Sequence, residues 1–233
     1  MYASRQKGIS LISLMVGTTI SLLLAIAMLQ LFKSVTKIST TAQQDAVNDS
    51  QITAALLASG FALQAAGFGI EQPALGTDLE LWGAASLQGE QLSGTAITVT
   101  EQFNAAQASD GFALTWRSLA RVGASTSQCH ALYAPARNAG GNAPGYTAGL
   151  YLLQSQDSCP NHLQNAQWRT VRTLADDVDF ALQASQQACT PLGHTNGGKA
   201  PSTHLLVQIS TRSSAGLALS EHYCLRNFVF DPA

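Results

Sequence analysis

The chain has 233 residues, with 12 basic and 14 acidic side chains for a formal charge of −2, and only 11% of its residues are charged. That length holds one ordinary domain plus an appendage. The low charge excludes a nucleic-acid binder acting through a broad basic face, the 46% hydrophobic content excludes a disordered chain, and a mean hydropathy of +0.09 excludes a polytopic membrane protein.

From Ile9 to Phe32 no residue is charged, while Arg5 and Lys7 precede the run and Lys33 and Lys37 follow it. Roughly 20 apolar residues cross a bilayer as a helix. Three readings compete: a cleaved secretory signal, a plain transmembrane anchor on a periplasmic domain, or a helix retained behind a short leader. The first fits worst. The run exceeds the ~7–15 apolar residues of a signal peptide. Its exit, Gln30-Leu31-Phe32-Lys33-Ser34, also lacks a small-residue cleavage site.

Beyond the run the helical period continues. Val35, Ile38, Ala42 and Ala46 recur at steps of three or four, and Ile52, Leu56, Gly60 and Leu63 extend the series. Polar residues such as Lys37, Gln44, Asp45 and Asn48 stand between them, which predicts an amphipathic helix with one buried face. No proline occurs before Pro73, and Gly67, Gly69 and Pro73 supply the stop. The predicted helix runs from Ile9 to about Ala66 and would be about 85 Å long. An anchor followed by a separate helix, with a kink near Gly17 or Ser34, fits the same pattern.

Period-two alternation predicts strands at Thr95–Glu101, Phe112–Arg117, Leu150–Gln154, Trp168–Arg172, Val178–Gln183, His204–Thr211 and His222–Phe230. Turn-rich stretches, 139–145 and 194–199 among them, separate these segments. Strand follows strand without long helices between. The expected fold class is therefore α+β, with an antiparallel sheet laid on the helical stem.

Cys129, Cys159, Cys189 and Cys224 all fall after the stem, on the side that the anchor orientation places outside the cytoplasm. Four cysteines allow three pairings, and no C-x-x-C suggests a zinc or redox site. The favoured pairing is Cys129–Cys159 and Cys189–Cys224, each tying a glycine-rich loop region.

The residues that invite chemistry form no catalytic pattern. His130, His162, His194, His204 and His222 show no metal-ligand spacing, and no G-x-S-x-G or phosphate loop occurs. Asp176, Asp177 and Asp179 could offer oxygens to calcium, but the rest of an EF-hand loop is missing, and a solvated turn entering a strand is the plainer reading. Arg117, Arg121, Arg169 and Arg172 could line only a local DNA contact. Trp82, Trp116 and Trp168 read as core or interface aromatics rather than a stacking platform. The expectation is no enzyme, no cofactor, no metal and no small-molecule substrate.

Several segments taken together carry a family resemblance. Met1-Tyr2-Ala3-Ser4-Arg5-Gln6-Lys7-Gly8 followed by Ile9-Ser10-Leu11-Ile12-Ser13-Leu14-Met15-Val16 resembles the type III signal of type IV prepilins. Ala66-Gly67-Phe68-Gly69 is similar to the end of the first helix in PilW-type minor pilins. The stretches 108–116, 174–180, 204–212 and Leu225-Arg226-Asn227 resemble later segments of that family, in order. These minor pilins are related to the J-type minor pseudopilins of type II secretion.

The resemblance implies a type IV pilin-like fold, a long N-terminal helix with an antiparallel β-sheet head. It divides the chain into a leader (1–8), a transmembrane or filament-core half-helix (9–32), an amphipathic half-helix (33–70) and an extracytoplasmic β-rich head (71–233). A prepilin peptidase would cut between Gly8 and Ile9 and methylate the Ile9 amine. Ser13 stands where most pilins carry glutamate. That carboxylate is thought to pair with a neighbour's N-terminus. A neutral residue there suits a subunit with no neighbour on that side, since a buried carboxylate is costly unless paired. The implied function is a minor pilin in a priming or tip complex that initiates pilus assembly, supporting adhesion, twitching or DNA uptake. Its partners would be other minor pilins, the major pilin, the prepilin peptidase, the inner-membrane assembly platform and a tip adhesin. It would reside in the inner membrane before assembly and at the pilus tip afterwards. Two alternatives remain: a pseudopilin of a secretion pseudopilus, and an anchored periplasmic binding module that never enters a filament.

Overall fold

The computed structural model describes residues 10–100, 104–106, 111–136, 148–190 and 202–230. Among the described residues one helix, α1 (Leu11–Gln64), is followed by ten strands. They are β1 (Leu79–Gln88), β2 (Gln91–Ile97), β3 (Asn104–Ala106), β4 (Phe112–Leu119), β5 (Ser127–Ala134), β6 (Gly149–Ser155), β7 (Trp168–Asp176), β8 (Phe180–Ala188), β9 (Thr203–Arg212) and β10 (Ala218–Phe230). A 3-10 turn, Leu163–Asn165, lies between β6 and β7. The chain divides into two compact units, one ending at Val47 and one starting at Asn48.

In the first unit α1 is apolar and exposed. Its leucine- and alanine-rich sequence has high helix propensity, and the hydroxyls of Thr18 and Thr19 fold back onto the carbonyls of Met15 and Val16 at 2.9 Å. Val35, Ile38, Ala42 and Ala46, read from the sequence as part of one buried face, are all exposed. Burial on α1 begins only at Ile52 and continues through Ala55, Leu56, Ser59, Gly60 and Leu63. Periodicity marks a face able to be covered; it does not say whether the chain itself covers it.

In the second unit every strand pair is antiparallel. Six strands form one sheet in the order β2-β1-β4-β5-β6-β7, and four form another in the order β10-β9-β8-β3. The main core lies among both sheets and the helical segment from Ile52 to Leu63, with Phe112, Leu114 and Trp116 from the first sheet and Phe180, Leu205 and Phe228 from the second. A second cluster fills the opposite face of the six-stranded sheet, around Trp82, Leu87, Tyr133, Tyr151, Leu163 and Trp168.

That second cluster is enclosed because the sheet curls. Gln91 bridges Gln167 across the two outermost strands, and the Trp168 N–H donates to the Glu90 carbonyl at 2.7 Å. Register shifts between Gly83 and Ser86, and twice between Leu150 and Leu153, supply the bending. Ala84 takes a φ of 48° inside the first of these. The architecture is α+β, a long N-terminal apolar helix followed by an antiparallel head, as in type IV pilin-like folds.

Candidate functional site

The stretch of α1 from Leu11 to Phe32 exposes almost every large apolar side chain, with Leu11 at 75% and Phe32 at 72%. It is long and apolar enough to cross a membrane and is a candidate membrane anchor. Past its first turn the helix bonds its own backbone groups, which is the condition for entering lipid. Ser13 sits on this segment, exposed. Gly17 has nothing within 4 Å of where a Cβ would stand, so its surface is open to close approach by another helix. Gly8 and Ile9, the expected cleavage and methylation positions, lie outside the described residues.

At the other end of α1 the chain turns into the head through two glycines. Gly67 and Gly69 have φ of 71° and 78°. A Cβ on Gly67 would meet Phe228, Pro73 and Asn227 at 3.0–3.2 Å, so only glycine suits the joint. The Gly67 N–H donates to the Arg117 carbonyl at 2.9 Å and the Leu119 N–H donates to the Phe68 carbonyl at 2.9 Å, which ties the turn to the end of β4.

Arg117 then joins three segments. Its Nη1 lies 3.3 Å from Asp78 Oδ1, its Nη2 donates to the carbonyls of Pro160 and Asn161, and its Nε–H points at Cys159 Sγ. Asp78 accepts from the Ala74 N–H through its other oxygen at 3.0 Å. Cys159 is bonded to Cys129 on β5, so the loop that caps the second cluster is held by a disulfide and a guanidinium together. The other disulfide joins Cys189 at the end of β8 to Cys224 on β10. These are the two pairs the sequence favours.

Strand β10 also grips the helix. The Tyr223 hydroxyl donates to the Leu56 carbonyl at 2.6 Å, and the Asn227 amide donates to the Ala66 carbonyl at 2.7 Å. Gly60 is required opposite Tyr223, whose ring edge lies 2.5 Å from an ideal Cβ there. Burial first, and the neighbouring Glu221 carboxylate second, push the Tyr223 phenol up to about 12. Tyr223 does not stand out in the sequence, and Asn227 does so only within the Leu225-Arg226-Asn227 resemblance, because a hydrogen bond to a helix carbonyl leaves no periodic trace.

The remaining sequence candidates do not converge. His130 stacks on Trp116 with ring centroids 5.9 Å apart, and burial lowers its pKa. His204 is buried and shares a 2.8 Å hydrogen bond with Ser202. His162 precedes the 3-10 turn, His222 is exposed on β10, and His194 lies outside the described residues. Among the described residues no group of three or more His, Cys, Asp or Glu could hold a metal ion. Asp176 accepts from the Tyr151 hydroxyl at 3.4 Å. Arg117 is committed to the clamp, while Arg121, Arg169 and Arg172 are exposed on a turn and on the edge strand β7. Trp82 donates to the Thr115 hydroxyl at 3.2 Å, and all three tryptophans are interior. Glu80, unremarkable in sequence, is half-buried; desolvation raises its carboxyl above the usual range and the nearby His162 partly offsets this.

Two clefts flank the β9–β10 hairpin. The larger, about 600 Å³, lies among Asn48, Ile52, Asp177, Asp179, Arg212 and Ser214. The smaller, about 330 Å³, lies between Thr53, Leu56 and Leu57 of α1 and residues 218–221 of β10. Comparisons with protein-family models, with curated proteins and with solved structures gave no match to the chain.

Proposed function

We propose that the chain is a minor pilin of the PilW type, processed after Gly8 and built through its apolar helix into a priming or tip complex. The observation that supports this most is the exposed apolar face of α1, from Leu11 to Ile38, on a chain whose head is otherwise a closed, disulfide-linked β structure. Exposed area of this extent calls for lipid or other helices around it. A helix that serves both needs can be stored in a membrane and then drawn into a bundle. The neutral Ser13 fits a terminal place in that bundle, where no neighbouring amine awaits a carboxylate.

Co-expression with a prepilin peptidase, followed by N-terminal sequencing, tests the reading. The expected product begins at N-methylated Ile9 and is recovered in sheared filaments. A product that still begins at Met1, or one that lacks the apolar segment, overturns it.

A further inference from the structure

We propose that the larger cleft of the head binds a short zwitterionic peptide, held by its two termini. The inference does not rest on the chain entering a filament. The cleft measures about 600 Å³ and lies wholly within the second unit, a volume inside the ~300–1,000 Å³ span of small-ligand sites. An extended tripeptide, roughly 10 Å long, is of a size to fit it.

The lining divides by chemistry. Val178 and Ala181 give it apolar surface, backed by the buried Ile52. Asp177 and Asp179 stand on the turn before β8, and Arg212 ends β9. The pairing of Phe180 with Thr211 brings these two ends together, and the Thr211 hydroxyl donates to the Asp179 carbonyl at 2.7 Å. Opposite charges thus share one rim. Asp177 and Arg212 are the two charges with capacity to spare. The Asp177 carboxylate has no hydrogen-bond or ionic partner among the described residues, and its backbone is held at a φ of 56° with its N–H on the Ala148 carbonyl. Arg212 makes one hydrogen bond, from Nη1 to the Gly216 carbonyl at 3.3 Å, and its other N–H groups have no partner among the described residues.

The far wall is positioned rather than loose. The Ser214 N–H donates to Asp49 Oδ1 at 2.9 Å and the Leu217 N–H donates to the Ser213 hydroxyl at 3.1 Å, which fixes the hairpin turn beside α1. The hydroxyls of Ser213 and Ser214 and the amide of Asn48 are then placed to meet peptide groups. A terminal ammonium suits Asp177, and a terminal carboxylate suits the forked guanidinium of Arg212. An uncharged ligand would leave both ends of the rim unmatched.

The test is a calorimetric titration of the full chain in detergent micelles with L-trialanine. Saturable binding is expected, and N-acetylation or C-amidation of the peptide should each weaken it about tenfold. Asp177→Asn and Arg212→Lys should weaken it similarly while leaving the urea midpoint of the head unchanged. No saturable binding, equal binding of the doubly capped peptide, or binding of calcium chloride alone overturns the proposal. Full affinity in both variants overturns it as well.

Discussion

Arg117 and Asp78 form an ion pair of 3.3 Å with side chains only 16% and 9% exposed, and the same guanidinium carries the carbonyls of Pro160 and Asn161. Removing one partner of so enclosed a pair strands the other charge away from water. Arg117→Met or Asp78→Asn should each destabilise the head by about 2–4 kcal/mol. Urea unfolding followed by tryptophan fluorescence checks this, and an unchanged midpoint would mean that the pair is not structural.

The disulfides act on different parts of the head. Replacing Cys129 and Cys159 together by alanine should cost about 2–4 kcal/mol, as should replacing Cys189 and Cys224. Only the first pair restrains the loop over Trp82, Tyr133 and Trp168. Its loss should raise binding of a hydrophobic dye under native conditions, whereas loss of Cys189–Cys224 should not.

Much of this was legible from residues alone. The apolar run, the helix stop at Gly67–Gly69 and the later strands carry plain periodic or turn signals. Strand β4 runs from Phe112 to Leu119, two residues past the predicted Phe112–Arg117, while β1 and β5 were missed. The six-stranded sheet is covered on both faces, so β5 is buried at every position from Ala131 to Ala134 and alternation disappears. β1 reads Leu-Glu-Leu-Trp-Gly-Ala-Ala-Ser and is likewise buried on both sides. The short β3 gives too few residues to register. Strand β2 begins at Gln91 rather than Thr95, and β8 runs from Phe180 to Ala188 rather than from Val178 to Gln183. The Arg117 clamp was invisible because its partners lie about 40 residues away on either side.

The glycine joint yields a sharper prediction. Gly69→Ala would place a methyl 2.9 Å from Leu119 at a φ of 78°, and Gly67→Ala would crowd Phe228. Each should destabilise by more than ~1 kcal/mol, because both steric room and backbone conformation are wrong. Gly76→Ala has open space around it and a φ of 81°, so it separates the two costs: backbone strain without crowding. Its midpoint should fall between wild type and Gly69→Ala.

Two titrating groups pull stability in opposite directions with pH. Glu80 has its folded pKa raised, so its contribution is present below the ordinary carboxylate value of 4.5 and is lost as pH rises through the raised value. Glu80→Gln should therefore stabilise the head at neutral pH and make no difference in strong acid. His130 has its folded pKa lowered, so its contribution is present above 6.5 and is lost as pH falls through the folded value. His130→Gln should flatten the acid limb of the stability profile. Urea midpoints measured from pH 4 to pH 8 test both signs.

Ser13→Glu bears on the assembly reading. If the subunit occupies a terminal place, the added carboxylate has no amine to meet and the change should reduce filament number. Counting filaments by electron microscopy, with subunit level held equal by immunoblot, decides it; unchanged numbers would remove the tip position.

The bridge between Gln91 and Gln167 has a further bearing on the head's behaviour at high local density. Strand margins with unmet amides are where stray chains stack into insoluble ribbons. By drawing its first and last strands together, the six-stranded sheet offers fewer such margins to a neighbouring chain.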